Sequence, residues 1–303
     1  MNEENETNYE IKKDTLRLVT VIMRHGERAP VDTYPNDPYI KDNMEPNGWG
    51  QLTNEGKRNQ YNQGLFLRKR YDSFLGSMYN PDIFHLQSTA VDRTKMSAML
   101  EAAALWKPNE EQSFKTDLPW QPVTLFYQER PEDTKQMNLT LPEWTENYYP
   151  NKLIPLTLYE LQLNTYNDEL RRLKGGPMLK KIINDMTAKK EGAIQPIKRK
   201  MYMYVGHDST IVTMLDTMHI WYNQMPYCNI MIMIELHKEE DEWNVQVFLR
   251  NTTVHEPYPM TIPGCTVVCP LDKFVEILKP MISDNWEEEC KIEDYVIPPP
   301  PLP

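Results

Sequence analysis

A histidine flanked by two arginines stands at the end of an apolar stretch near the start of the chain. Residues 16–23 are largely apolar and β-branched, a composition that predicts a buried strand. Arg24, His25 and Arg28 follow it, and Pro30 ends the regular structure. Guanidinium groups donate to phosphate oxygens in planar pairs, and an imidazole nitrogen can attack phosphorus. The spacing therefore indicates a phosphate site with His25 as its nucleophile, and the competing interpretation is a solvated turn.

Two further polar clusters also follow predicted strands. His207 and Asp208 come after the apolar run 201–205. Arg93 comes after the predicted strand 83–87, at the start of a predicted helix, where the helix N-terminus favours anions. For Arg93 the alternative is an ordinary first-turn residue without a ligand. Because ligands of open α/β sheets bind beyond the carboxyl ends of strands, we expect these clusters to meet at one edge.

The elements that must position these clusters alternate between strands and helices. Predicted strands cover residues 16–23, 83–87, 201–205, 229–237 and 243–250, the last two as an antiparallel hairpin. Predicted helices cover residues 52–75, about 94–106, 155–174, 177–189, 210–220 and a segment within 269–282. Residues 107–150 are Pro-rich and predicted to be irregular, and residues 298–303 are predicted to form extended polyproline.

Composition and charge narrow the class of protein. The 303 residues, 40% of them hydrophobic, are enough to bury a sizeable core. The net charge of −11 argues against nucleic-acid binding, whereas a local arginine cluster still suits a small anion because distant charges are screened. No apolar run is long enough to span a membrane. Residues 1–9 lack the features of a signal peptide, which predicts a cytosolic or a trimmed chain.

Cysteines and glycosylation sequons give a second indication of location. Cys265 and Cys269 are close enough in sequence for a small-loop disulfide or for half of a metal site. No second ligand pair stands nearby, so the disulfide is favoured. Sequons at Asn5, Asn138 and Asn251 fit a secreted glycoprotein, although such triplets also arise by chance.

The run from Arg24 to Pro30 resembles the Arg-His-Gly-x-Arg-x-Pro signature of the histidine acid phosphatases. His207 and Asp208 are similar to the second catalytic pair of that family. The similarity extends over residues 16 to about 107 and about 138 to 290. Segments that resemble the prostatic and lysosomal type are 32–35, 50–53, 68–71, 88–94, 255–259 and 263–265.

The resemblance implies an α/β fold in which a central, mostly parallel sheet is flanked by helices and carries a reduced helical cap. It divides the chain into four parts. These are a flexible N-terminus at 1–15, an α/β phosphatase core at 16–107 and 177–290, a reduced cap insertion at 108–176, and a Pro-rich tail at 291–303.

The resemblance also implies hydrolysis of phosphate monoesters without a metal or another cofactor. By position, His25 is the nucleophile that forms a phosphohistidine, and Asp208 is the general acid. The residues expected to bind the phosphate oxygens are Arg24, Arg28, Arg93 and His207. Surrounding cations disfavour protonation of His25, whereas a bound phosphate dianion favours protonated Asp208. We therefore expect activity at low pH.

The chain departs from the resembling proteins between Arg93 and His207, where the interval is short and cap helices are missing near residues 137–138. In those proteins, this region supplies cysteines that pair with the positions of Cys228 and Cys290. The resemblance therefore implies that these two thiols are unpaired here, whereas the Cys265–Cys269 bond can still form.

Alternative functions remain open at this point. One is a phytase-like or phosphoglycerate mutase-like enzyme, and another is a binding protein that keeps the phosphate pocket without turnover. The expected substrate is a phosphate monoester, either a small molecule or a phosphoprotein, and neither nucleic acid nor a membrane span is expected. The resemblance implies a secreted or lysosomal protein and allows for a homodimer, while the lack of a visible signal peptide leaves the cytoplasm open.

Overall fold

The computed structural model describes residues 15–31, 39, 41–128 and 153–291. Several predictions lie outside these residues: the flexible N-terminus, the sequons at Asn5 and Asn138, and the polyproline tail. Residues 32–35, which contribute to the family resemblance, also lie outside the described part of the chain.

An eight-stranded mixed sheet forms the centre of the molecule. The strands are β1 (Leu16–Arg24), β2 (Phe84–Thr89), β3 (Leu125–Gln128), β4 (Met201–Gly206), β5 (Met231–Glu239), β6 (Glu242–Arg250), β7 (Tyr258–Met260) and β8 (Cys269–Pro270). Their order is β3-β2-β4-β1-β5-β6-β7, with β8 paired to β6. Strands β3, β2, β4 and β1 are parallel, and the remaining pairings are antiparallel. The parallel strands therefore end at one common edge.

Helices cover both faces of this sheet. They are α1 (Asn54–Leu75), α2 (Asp92–Leu105), α3 (Leu153–Leu163), α4 (Asp168–Lys174), α5 (Gly176–Glu191), α6 (Asp208–Thr217), α7 (Leu271–Leu278) and α8 (Trp286–Glu289). Strand β1 sends Val19 and Val21 into the core beneath α1 and α2, and Leu18 and Ile22 into the core beneath α5 and α6. Burial on both faces explains why this strand is a nearly continuous apolar run.

The predicted α/β fold with mostly parallel central strands is confirmed. The predicted helix over 155–174 is wrong as a single element, because the chain breaks between α3 and α4. Asn167 caps α4 at this break by accepting a hydrogen bond from the backbone of Leu170 at 2.8 Å. The predicted irregular region 107–150 contains β3, a four-residue edge strand held by its pairing with β2.

The favoured disulfide is present and links Cys265 to Cys269. Cys228, which is half-buried, and Cys290, which is exposed, are free thiols. In the described segments, no helix combines the length and the apolar character needed to cross a bilayer.

Candidate active site

The predicted polar clusters meet at the carboxyl edge of the parallel strands. Arg24 is the last residue of β1 and lies opposite Gly206, the last residue of β4. The next residue on each chain segment is a histidine, and the backbone N–H of His25 donates to the Gly206 carbonyl at 3.0 Å. Arg93 lies in the first turn of α2, directly beyond β2. The sheet topology alone therefore brings three distant segments together.

The imidazole of His25 has a fixed orientation. Its Nδ1 lies 2.7 Å from the carbonyl oxygen of Gly26, and because a carbonyl only accepts, Nδ1 carries the proton. Nε2 of the neutral ring then presents a lone pair, and Arg93 Nε donates to it at 3.2 Å. The ring is only 2% exposed. Nε2 is therefore the nitrogen that is able to attack an electrophile.

The surroundings of His25 keep it neutral. Burial lowers its pKa well below the ordinary value of 6.5, and the charges of Arg24, Arg93 and His207 lower it further. The hydrogen bond to Gly26 acts in the opposite direction but does not reverse the shift. A neutral nucleophile is thus available below pH 6.5, where a solvent-exposed histidine is protonated.

Three guanidinium groups converge around this histidine. Arg24 forms an ion pair with Asp208 at 2.9 Å and donates to the Pro226 carbonyl at 2.5 Å. Arg28 donates to the Ala29 carbonyl at 3.1 Å, and within the described residues its Nε has no hydrogen-bond partner. Burial, together with the charges of Arg93 and Arg24, lowers the pKa of Arg28 to about 10. The site therefore concentrates buried positive charge with little compensation inside the protein.

His207 completes the convergence. Its ring lies edge-on to that of His25 with centroids 5.6 Å apart, and its Nε2 lies 3.0 Å from Thr89 Oγ1. Asp208 begins α6, and one of its carboxylate oxygens accepts from the backbone N–H of Ser209 at 2.7 Å. The structure thus brings together all six residues singled out in the sequence. No group of three or more His, Cys, Asp or Glu side chains suited to a metal occurs in the described part of the chain.

Asn229 supports the histidine loop and was not predicted from the sequence. Its side-chain amide donates to Glu27 at 2.7 Å, and its backbone N–H donates to the His25 carbonyl at 3.4 Å. Gln63 of α1 donates to the Asn229 carbonyl at 2.5 Å, and the side-chain amide of Gln60 lies 2.5 Å from Asn229 Oδ1. The residue is buried and has a positive φ of 66°. The available signals were an asparagine before an apolar run and two glutamines at helical spacing on a buried face.

Helix α1 packs directly against the same loop. Thr53 caps the helix by accepting from the Gly56 N–H at 3.0 Å, and its own N–H donates to the Glu27 carbonyl at 3.0 Å. A Cβ atom at Gly26 would lie 2.7 Å from the carbonyl oxygen of Gly56. Only a residue without a Cβ atom therefore lets the histidine loop pack this closely against α1 at position 26.

Known proteins similar to this chain are phosphatases. A family model described as the histidine phosphatase superfamily (branch 2) matches residues 15–143. Prostatic acid phosphatase from Bos taurus is 32% identical in an alignment of 354 positions, gaps included, which covers 94% of this chain and 90% of that protein. Venom acid phosphatase Acph-1 from Apis mellifera is 30% identical, with 91% and 87% covered. Lysosomal acid phosphatase from Xenopus laevis is 29% identical, with 93% and 80% covered.

Solved structures agree on the fold. The apo form of Hafnia alvei phytase superposes with a TM-score of 0.64 at 14% sequence identity, covering 92% of this chain and 98% of that chain. Fold and relatives together define the class of the protein, which is a phosphatase and thus a hydrolase. The chain belongs to the histidine phosphatase superfamily, branch 2, among its histidine acid phosphatases. These relatives do not favour a binding protein without turnover.

Proposed function

We propose that this protein is an acid phosphatase that hydrolyses phosphate monoesters through a phosphohistidine formed on His25. One observation carries the proposal. A buried, neutral imidazole points its unprotonated Nε2 at Arg93, within a cluster that also contains the guanidinium groups of Arg24 and Arg28. A phosphate group bound by these cations places its phosphorus atom next to Nε2.

In the first step, the lone pair of His25 Nε2 attacks phosphorus and the bond to the ester oxygen breaks. Asp208 donates a proton to the leaving oxygen, so an alcohol rather than an alkoxide departs. Charge on the transferring phosphoryl group is stabilised by the surrounding donors. These are Arg24, Arg28, Arg93 and His207.

In the second step, water attacks the phosphorus of the phosphohistidine. The Asp208 carboxylate accepts the proton of that water, the P–N bond breaks, and its electron pair returns to Nε2. Inorganic phosphate leaves, and both residues regain their starting protonation states. The ion pair between Arg24 and Asp208 supports this double role because it keeps the carboxylate beside the phosphate site.

The acidic pH range follows from the nucleophile. The lowered pKa of His25 keeps Nε2 unprotonated below pH 6.5, so the attacking group survives in acid. Supporting this assignment, the relatives described above are named prostatic, venom and lysosomal acid phosphatases.

The same proposal covers location and domain organisation. A secreted or lysosomal glycoprotein is supported by the names of the relatives, by the Cys265–Cys269 disulfide and by the sequon at Asn251. The alignment to the bovine enzyme supports a reduced cap, which the family resemblance assigns to residues 108–176. Its 354 positions exceed the 303 residues of this chain, so the relative carries residues absent here. A homodimer remains a prediction that sedimentation equilibrium tests.

The test measures hydrolysis of an aryl phosphate at pH 5 by the wild-type chain, His25→Ala and the control His255→Ala, which alters an exposed histidine. Turnover should disappear only in His25→Ala, and wild-type enzyme quenched in alkali, in which the P–N bond of a phosphohistidine is stable, should carry labelled phosphate on His25. Asp208→Asn should lose more activity on alkyl phosphates than on aryl phosphates, whose leaving groups need less protonation. Full turnover by His25→Ala, or phosphate trapped on another residue, contradicts the proposal.

A further inference from the structure

A cavity of about 580 Å³ opens at the amino-terminal edge of the parallel strands and collects basic side chains. The basic residues that line it are Arg17, Lys189, Lys198 and Lys200, and the other lining residues are Leu16, Ser73, Phe74, Ile83 and Ile197. None of these lining residues, all within the described part of the chain, is acidic. Such a collection stands out in a protein with a net charge of −11.

This cavity is separate from the phosphate site. Strand β1 begins at Leu16, which lines the cavity, and ends at Arg24, which lines the phosphate site. Its nine residues span about 26 Å, at roughly 3.3 Å of rise per residue. A monoester bound at His25 does not reach the cavity, so the basic residues there are not a subsite for the same substrate.

Two of the ammonium groups are held in place by backbone carbonyls. Lys189 Nζ donates to the Arg199 carbonyl at 2.6 Å, and Lys200 Nζ donates to the Phe74 carbonyl at 2.5 Å. An ammonium group has three N–H donors, so each carbonyl takes only one of them. Among the ion pairs found in the described residues, neither lysine has a carboxylate partner, whereas the adjacent Lys190 pairs with Asp272 at 2.7 Å.

The cations also repel one another. Burial lowers the pKa of Lys189, and the charges of Lys200 and Arg17 lower it further. An anion in the cavity would reduce this repulsion. It would also accept hydrogen bonds from the ammonium N–H groups that the backbone carbonyls do not use. Apolar surface from Phe74, Ile83 and Ile197 lies alongside the charges, so the cavity offers contacts to more than a bare inorganic ion.

We propose that this cavity binds a small organic anion whose negatively charged head contacts Lys189 and Lys200 and whose apolar body lies against Phe74 and the neighbouring isoleucines. The cavity volume falls within the several hundred Å³ typical of small-molecule sites. A carboxylate and a phosphate head satisfy the same donors, so both belong to the proposed class.

The test titrates the full chain with 8-anilinonaphthalene-1-sulfonate, a fluorescent aromatic anion that is not a phosphate ester, with vanadate saturating the phosphate site. We expect one dye molecule per chain. The double variant Lys189→Met/Lys200→Met should weaken binding about tenfold or more, the loss expected when charged hydrogen-bond partners are removed. Its turnover of an aryl phosphate should stay at the wild-type level, which also shows that the variant folds.

The matched control Lys190→Met/Lys291→Met removes the same number of charges from surface ion pairs with Asp272 and Glu288. It should leave dye affinity within about twofold of wild type. Lys198→Glu, at an exposed cavity position, should weaken binding without disturbing core packing.

The proposal is overturned if no saturable dye binding occurs with vanadate present, if the control double variant weakens binding equally, or if neutral N-phenyl-1-naphthylamine binds as tightly. Competition completes the test. Displacement of the dye by decanoate or by decyl phosphate supports the proposal and shows which head group is preferred, and displacement by neither contradicts it.

Discussion

Two buried regions of this molecule differ in how their charges are balanced. At the carboxyl edge of the sheet, three guanidinium groups gather around His25, and Asp208 pairs with one of them. Beneath α1, the carboxylate of Glu235 is fully buried and accepts from Arg70 at 3.0 Å, from Tyr71 at 2.6 Å and from His237 at 3.2 Å. Within the described residues, the Nε of Arg28 in the first region has no hydrogen-bond partner, whereas the carboxylate of Glu235 accepts from three side chains.

The comparison shows how a buried charged cluster that binds a ligand differs from one that stabilises the fold. Burial raises the pKa of Glu235, but the hydrogen bond from His237, the charge of Arg70 and the hydrogen bond from Tyr71 outweigh it and lower the pKa overall. At the phosphate site, burial and neighbouring charges act in the same direction and destabilise the charged form of Arg28. A cluster whose charges balance contributes to folding, whereas a cluster with an excess of one charge favours binding of a ligand of opposite charge.

The largest effect should come from the paired region. Glu235→Gln leaves the cation of Arg70 buried without its partner and should lower the free energy of unfolding by about 3–5 kcal/mol. The wild-type contribution is present above the ordinary carboxyl pKa of 4.5 and is lost as pH falls through the lowered folded pKa. Urea unfolding at pH 7 measures the loss, with exposed Glu242→Gln as the control. An unchanged midpoint would show that the cluster carries no stability.

At the phosphate site, activity should be lost while stability is kept. Arg28→Met keeps the apolar stem and removes the repelling charge, so kcat should fall about 10²–10³-fold while the melting temperature stays level or rises. Arg171→Met is the matched variant, because Arg171 is paired with Asp168 at 2.8 Å and with the buried Asp216 at 3.3 Å. It should lower the melting temperature and leave kcat unchanged. If the two variants changed kcat and the melting temperature in the same way, the proposed difference between the two regions would be wrong.

An intermediate effect should come from Asn229, which is structural in its contacts but lies inside the site. Asn229→Gly tolerates the positive φ yet removes the amide that contacts Glu27, so kcat should fall by about tenfold, as for a buried hydrogen bond left unmade. Asn223→Gly, at an exposed position with φ 59°, is the control and should behave as wild type. Steady-state kinetics on an aryl phosphate compare the two. Equal activity of both variants would show that the amide is dispensable.

The smallest effect should be a shift of the pH profile, measured on the reduced activity that remains when one phosphate-binding guanidinium group is lost. Arg93→Gln removes one of the charges that lower the pKa of His25, so that pKa should rise and the acidic limb of kcat/KM should move to higher pH. Lys95→Gln, on the same helix, should leave the limb in place. A limb that stays fixed in both variants would mean that another group governs it.

The positions of the main strands along the chain and of the phosphate site were largely predictable, because both follow from clear sequence patterns. Buried parallel strands read as apolar runs, and the polar residues that follow them must meet at one edge, so the convergence on His25 was expected from order alone. The roles of Asp208 and His207 came from the family resemblance rather than from their spacing.

The unpredicted parts depend on tertiary contacts. Strand β3 has four residues and exists through its pairing with β2, which no local pattern records. Asn229 acts through a left-handed backbone turn that aims its amide at Glu27. Glu235 lies within the predicted strand 229–237, and the pattern of that strand does not indicate which side chains pair with Glu235. In each case, the partner lies far away in sequence, so the pairing becomes visible only once the sheet order is known.

The hydrogen bond from His25 Nδ1 to the carbonyl of Gly26 has a consequence for how such enzymes can diverge. The reactive nitrogen is aimed by the very next peptide group, and the distant side chain that supports this loop, Asn229, lies between α6 and β5 rather than in the segment 108–176. Lids of different size can therefore be exchanged around an unchanged nucleophile, and new substrate ranges can arise without rebuilding the chemistry.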